Sequence, residues 1–127
     1  MSAAAMASAA LSAQTVKTMN DLKPEQKSMA ICLKLTGRLS AEPKGDYRQM
    51  RDLCFQVRTI DLGDAQSTEI PKNAFHSRHQ LENIVLPKAL KTIGTQAFFA
   101  CDKLQTVTIP ASVDTIGAAA FSGCKSM

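Results

Sequence analysis

The sequence predicts an α/β solenoid, a chain wound into stacked coils with a parallel sheet on one face, behind an N-terminal helix-strand-helix cap. Two observations predict it. One stretch of 23 residues is written twice, and the apolar positions inside it are spaced as a short buried strand requires. The first copy, LENIVLPKALKTIGTQAFFACDK, begins at Leu81, and the second, LQTVTIPASVDTIGAAAFSGCKS, begins at Leu104. A shift of 23 carries Leu81 onto Leu104, Pro87 onto Pro110, Ile93 onto Ile116 and Gly94 onto Gly117. The same shift carries Ala97 onto Ala120, Phe98 onto Phe121 and Cys101 onto Cys124, with Ile84/Val107, Leu86/Ile109 and Leu90/Val113 as conservative pairs. A fixed period in the twenties with apolar residues at fixed offsets is the mark of leucine-rich repeats.

Each offset has a physical reason. In L-x-x-[IV]-x-[LI]-P the last two apolar residues lie two apart, so both face one side of a strand. Proline closes the strand, because it cannot donate to a ladder. Ile93 and Ile116, each followed by glycine, read as a second inward anchor before a turn with a permissive backbone. The A-F-x-x-C run returns a ring and a thiol to the same interior. One coil cannot bury such a face alone, but coils stacked about 4.8 Å apart can, with phenylalanine over phenylalanine and cysteine over cysteine.

These motifs resemble the BspA-like family of bacterial surface leucine-rich repeats, whose units have the form L-x-x-[IV]-x-[IL]-P-x-x-[VL]-x-x-I-G-x-x-A-F-x-x-C. The resemblance is close over residues 81–127 and looser from about Leu11 onward. The segments LKLTG, YRQMRDL and TIDLGDA are similar to the N-terminal cap of family members. The resemblance implies export to the bacterial surface or beyond, and adhesion to host or neighbouring-cell proteins.

In chain order, residues 1–8 are expected to be a disordered leader, residues 9–56 the cap, and residues 57–127 the repeats, counted as one irregular and two regular coils. The alanine- and serine-rich start, MSAAAMASAALSAQ, lacks the basic n-region and strong apolar run of a secretory signal, and reads either as a clipped signal tail or as a plain leader. Residues 9–22 place Leu11, Val16, Met19 and Leu22 near one face of a helix that Pro24 limits. A strand is expected from Ala30 to Thr36, with Leu33 and Leu35 inward, followed by a loop over 40–45. Asp46 is expected to N-cap a helix in which Tyr47, Met50, Leu53 and Cys54 share a face. A strand from Val57 to Leu62 leads into the irregular coil, where Ile70, Ala74 and Phe75 already stand 23 before Ile93, Ala97 and Phe98. Adding 23 to Leu104 gives Met127, so the chain stops at the first core position of a further coil. We expect a piece of a longer array whose open end, with Val107, Phe121 and Cys124, invites end-to-end self-association.

Little in the chain carries chemistry. Fifteen basic residues face eleven acidic ones among 127, for a net charge of +4, but the charges are scattered and no basic stripe alternates with aromatics, which argues against nucleic acid. No run approaches the ~20 apolar residues of a membrane span. Cys101 and Cys124 are repeat positions, and Cys32 and Cys54 stand in no C-x-x-C spacing, so neither zinc nor another metal is expected; Cys32 should point outward as a free thiol. His76 and His79 are three apart without a third ligand of fitting spacing, and read as turn residues. There is no G-x-S-x-G, no H-E-x-x-H and no phosphate-cradling glycine loop, so no enzymatic activity and no cofactor are expected.

What remains is the outer face of the sheet. If Leu33/Leu35, Ile60/Leu62, Ile84/Leu86 and Val107/Ile109 point inward, one outward row is Cys32, Thr59, Asn83 and Thr106. The other is Lys34, Asp61, Val85 and Thr108. The expected protein-binding residues are Lys34, Thr59, Asp61, Asn83, Val85, Thr106 and Thr108, and the alternative is a purely structural cap or spacer of a longer repeat protein.

Overall fold

The computed structural model describes residues 13–40 and 45–127. The leader expected at 1–8, the start of the helix expected at 9–22 and most of the loop expected at 40–45 lie outside the described residues. The solenoid carries two parallel sheets. The larger has five strands in the order β1-β2-β3-β5-β7 and the smaller three in the order β4-β6-β8. Here β1 is Ala13–Val16, β2 Cys32–Leu35, β3 Thr59–Asp61, β4 Glu69–Ile70, β5 Asn83–Val85, β6 Thr92–Ile93, β7 Thr106–Thr108 and β8 Thr115–Ile116.

The repeat period fixes the register. Residues 23 apart are partners in both sheets, as in Asn83 with Thr106, Ile84 with Val107 and Ile93 with Ile116. Equal coil lengths bring equivalent residues level, so each inward side chain is covered by its own equivalent in the next coil. Phe75, Phe98 and Phe121 stack with centroids 5.4 and 5.2 Å apart and nearly parallel rings, and Tyr47 meets the head of the column edge-on at 6.0 Å. Leu33, Leu35, Ile60, Leu62, Ile84, Leu86, Ile70 and Ile93 are buried beside them in one continuous core. Coverage fails on the last described coil, where Val107 and Phe121 are only partly buried and Ile109 and Ile116 are exposed.

The turn arm of each coil is held by the neighbouring coil as well as by itself. The Phe75 and Phe98 amides donate to the carbonyls of Ala97 and Ala120, at 2.7 and 2.8 Å, so backbone groups that no strand pairs still find partners. The Cys101 thiol donates to the Phe75 carbonyl and the Cys124 thiol to the Phe98 carbonyl, at 3.0 and 3.2 Å. Left-handed backbone recurs at two places in the coil, at Asn73, Gln96 and Ala119 and again at Ser77, Ala100 and Gly123.

The cap differs from the sequence expectation in four ways. The helix expected at 9–22 is absent from its described part, residues 13–22. Ala13–Val16 form β1, and Met19–Asp21 form a single 3₁₀ turn. The spacing of Val16, Met19 and Leu22 imitates a helical stripe. Yet the edge of β2 offers a ladder, and pairing Ala13 with Cys32 through Val16 with Leu35 satisfies that edge; tertiary pairing overrides local propensity here. The helix of this region lies beyond, at α1, Pro24–Met29, where Pro24 opens the helix instead of ending one.

In α2, Asp46–Leu53, the N-cap is Gly45, not Asp46. Asp46 is buried and accepts the Met19 amide at 2.7 Å and the Ser40 amide at 2.9 Å, tying the 3₁₀ turn and the strand exit to the helix. Tyr47, Met50 and Cys54 are buried as expected, whereas Leu53 is exposed beside Phe55. Gly94 and Gly117 are not left-handed, so the permissive turn expected at each is not the reason for glycine there.

Candidate functional site

Alternation sets the outer face of the five-stranded sheet: Leu33, Ile60 and Ile84 point into the core, so their strand neighbours point out. The register aligns Cys32, Thr59, Asn83 and Thr106 in one row and Lys34, Asp61, Val85 and Thr108 in the next, the two rows expected from the sequence. All seven expected residues therefore share one surface. Strand β1 adds Ala13 to the first row and Thr15 to the second, two positions that the expected helix had removed from view. The signal available for them was the β-branched pair Thr15-Val16 near the start of the cap.

The chemistry of this face is mixed. Thr106 Oγ1 donates to Asn83 Oδ1 at 2.9 Å across the ladder. Lys34 Nζ lies 3.1 Å from Asp64 and 4.0 Å from Asp61. Asp64 also meets Lys88 at 3.8 Å, in a chain of exposed charges at one end of the strands. The hydrogen bond with Asp64 raises the Lys34 pKa above its ordinary value and lowers that of Asp64, so both stay ionised around neutrality. These groups lie in open solvent, where such pairs contribute little to stability and serve mainly to order the side chains. Asp64 was not among the expected residues, because it belongs to the irregular stretch after β3. In the middle of the polar face stands Val85, 48% exposed.

The histidines take separate partners. His76 stacks on Phe99 with centroids 4.8 Å apart and meets Ser77 Oγ through Nδ1 at 2.8 Å. His79 Nδ1 lies 2.7 Å from Asp102 on the next coil, a hydrogen bond that lowers the Asp102 pKa. Among the described residues no group of three histidine, cysteine, aspartate or glutamate side chains could hold a metal ion, and no helix is long and apolar enough to cross a membrane.

Residues 49–127 match the family described as "BspA type Leucine rich repeat region (6 copies)". The chain belongs to the BspA-type leucine-rich-repeat family. Members are commonly bacterial surface or secreted proteins, their repeats are protein-interaction modules, and the family is typically non-catalytic. A solved leucine-rich repeat protein from Bacteroides ovatus is similar at 22% identity and a TM-score of 0.44, over 58% of this chain and 24% of that one. The chain thus spans about a quarter of the length of that solved protein. No curated protein matches it.

The four thiols divide by burial. Burial pushes Cys54 up to about 11 and Cys101 up to about 12, since the interior disfavours the thiolate. At pH 8, a thiol reagent is therefore expected to label exposed Cys32 rapidly and to leave Cys54 and Cys101 intact until the chain unfolds; labelling of all four at equal rates, read by mass spectrometry, would contradict the burial. The pH dependence has a definite sign. Both folded pKa values lie above the model-peptide value, so unfolded chain loses these protons first. The stability they confer is complete below about pH 9 and is lost as pH rises toward 11–12.

Proposed function

We propose that the chain is a non-catalytic protein-recognition module of a bacterial surface or secreted adhesin, and that it meets its partner with the outer face of the five-stranded sheet. The partner is a protein of a host or neighbouring-cell surface. The observation that carries the reading is Val85, a 48% exposed apolar side chain in a mostly polar, register-aligned array. Interface energy concentrates in a few apolar anchors ringed by polar groups that exclude water. Val85 among Asp61, Asn83 and Thr108 has that composition. Lys34, Thr59 and Thr106 complete the rim.

Size limits affinity. A standard interface uses about 20–30 residues on each side, and the two rows over five strands supply at most half of that, so this chain alone binds weakly and gains strength from repetition. The test is a double substitution, Thr106→Lys with Thr108→Lys, screened against a panel of extracellular-matrix and cell-surface proteins. Loss of capture with an unchanged melting temperature is expected. Capture that survives the two lysines would remove the sheet face from consideration, and a chain that captures nothing before substitution would favour a purely structural cap or spacer.

A further inference from the structure

Successive turn arms are joined by the same three backbone donors. The amides of Asn73, Phe75 and Ser77 donate to the carbonyls of Thr95, Ala97 and Phe99 at 2.7–3.1 Å. Those of Gln96, Phe98 and Ala100 donate to Ala118, Ala120 and Ser122 over the same range of distances. A further shift of 23 gives Ala119, Phe121 and Gly123. Left-handed backbone at Ala119 and Gly123, as at Asn73 and Ser77, gives this arm the shape of the others. Its three amides therefore point away from the preceding coil, and none has an acceptor among the described residues. They can be reached: Ala119 and Gly123 are exposed, and Phe121 is only partly covered, with one ring face on Phe98.

Unpaired donors select what can cover them. Two copies meeting open end to open end would set amide against amide. The first arm of another copy cannot dock either, because α2 covers it: Tyr47 lies edge-on to Phe75, and Arg51 holds the Asn73 carbonyl at 3.0 Å. What fits is a segment like residues 118–124, AAAFSGC, with carbonyls free at alternate residues, a large apolar side chain in fourth place and small residues around it. The chain carries another such segment. Residues 3–9, outside the described residues, read AAAMASA. Aligned without a gap, Met6 falls at Phe121 and Ala9 at Cys124. Ala4 and Ser8 fall at the two positions where Ala119 and Ser77 adopt positive φ, so neither residue type is foreign to that backbone.

We propose that residues 3–9 of one copy of this chain form the next arm on the open end of a second copy. The carbonyls of Ala3, Ala5 and Ala7 accept the amides of Ala119, Phe121 and Gly123, and Met6 covers the free face of Phe121 as a sulfur–aromatic contact. A single chain cannot make this contact with itself. Ala9 stands four residues before Ala13, at most about 14 Å of extended chain. Strand β7 is four ladder steps from β1 and the added arm a fifth, about 24 Å at 4.8 Å a step. Each copy offers one segment and one open end, so copies add head to tail in open rows. The contact leaves the outer face of the five-stranded sheet free and stands whether or not that face binds protein.

The test uses the whole chain, followed by sedimentation velocity and by isotope-edited amide spectra. Association is expected as the concentration rises toward about 1 mM, with downfield shifts and slowed solvent exchange at the amides of Ala119, Phe121 and Gly123. Met6→Asp sets an unpaired charge against the Phe121 ring and should weaken association by about tenfold or more, with an unchanged far-ultraviolet spectrum; Met6→Ser takes its place if the aspartate disturbs the fold. Isotope-labelled Met6→Asp chain keeps an intact open end. Unlabelled wild type should shift its three amides, and unlabelled Met6→Asp should not. A chain that stays monomeric throughout, association that the Met6 variants retain at full strength, or shifts confined to other residues would overturn the proposal.

Discussion

Phe98→Ala is expected to cost about 3–5 kcal/mol of folding stability, the loss seen when a buried ring is cut back and its space stays open. Phe98 is fully buried, with Phe75 on one side at 5.4 Å and Phe121 on the other at 5.2 Å. Both neighbours are fixed by inter-coil hydrogen bonds of their arms, so the column cannot close over the gap. Against a typical total of about 5–15 kcal/mol, one ring is a large share. Phe121→Ala should cost less, because Phe121 is already partly exposed. Thr106→Ala, on the outer face, should cost under about 0.5 kcal/mol despite its bond to Asn83. Urea unfolding followed by circular dichroism measures all three, and equal losses at Phe98 and Thr106 would contradict the division of the coil into inner and outer faces.

Gly94→Ala is expected to cost about 2–3 kcal/mol, as overpacking does when the obstacle is rigid. A β-carbon on Gly94 would lie 2.6 Å from the Lys72 amide nitrogen, 2.8 Å from the Pro71 carbonyl carbon and 2.9 Å from the Ile70 carbonyl oxygen. All three are backbone atoms of the preceding coil. The Gly94 amide donates to that same Ile70 carbonyl at 2.7 Å, so the coils cannot separate without breaking the ladder. Gly117 meets Thr95 and Gly94 in the same way, which makes close approach a property of the repeat. Gly63→Ala is the control: its nearest neighbours are the side-chain atoms Asp61 Oδ1 and Val85 Cγ1, which can move, and the change should cost under about 0.5 kcal/mol. Gly94→Asn separates the two explanations for the glycine. Asparagine tolerates left-handed backbone, so it would rescue a turn glycine, and it should be no better than alanine at a contact glycine. Melting temperatures of the three variants decide between them.

The rows of the candidate face were legible in the sequence because a repeat of constant length carries its own register. Once Asn83 and Thr106 are known to be equivalent, their adjacency follows from coil stacking, and the same argument placed Phe75, Phe98 and Phe121 in one column. Where constant length fails, the reading fails with it. The stretch from Leu62 to Ile70 is one residue longer than its counterpart from Leu86 to Ile93, and Asp64, which anchors Lys34, sits inside that irregular stretch. Strand β1 was hidden for another reason: Val16, Met19 and Leu22 satisfy a helical spacing, and only the waiting edge of β2 makes the first of them a strand residue.

By itself the sequence determined the solenoid, its parallel sheet, the inward and outward residues of the regular coils and the membership of the phenylalanine column. All of these follow from periodicity, which is a local pattern repeated at fixed distance. Tertiary structure alone decided the strand at Ala13–Val16, the burial of Asp46 between Met19 and Ser40, and the close contact that requires glycine at 94 and 117. Each of those depends on which atoms of a different coil or cap element come near, and no repeat unit encodes its neighbours' surroundings at the place where the repetition begins.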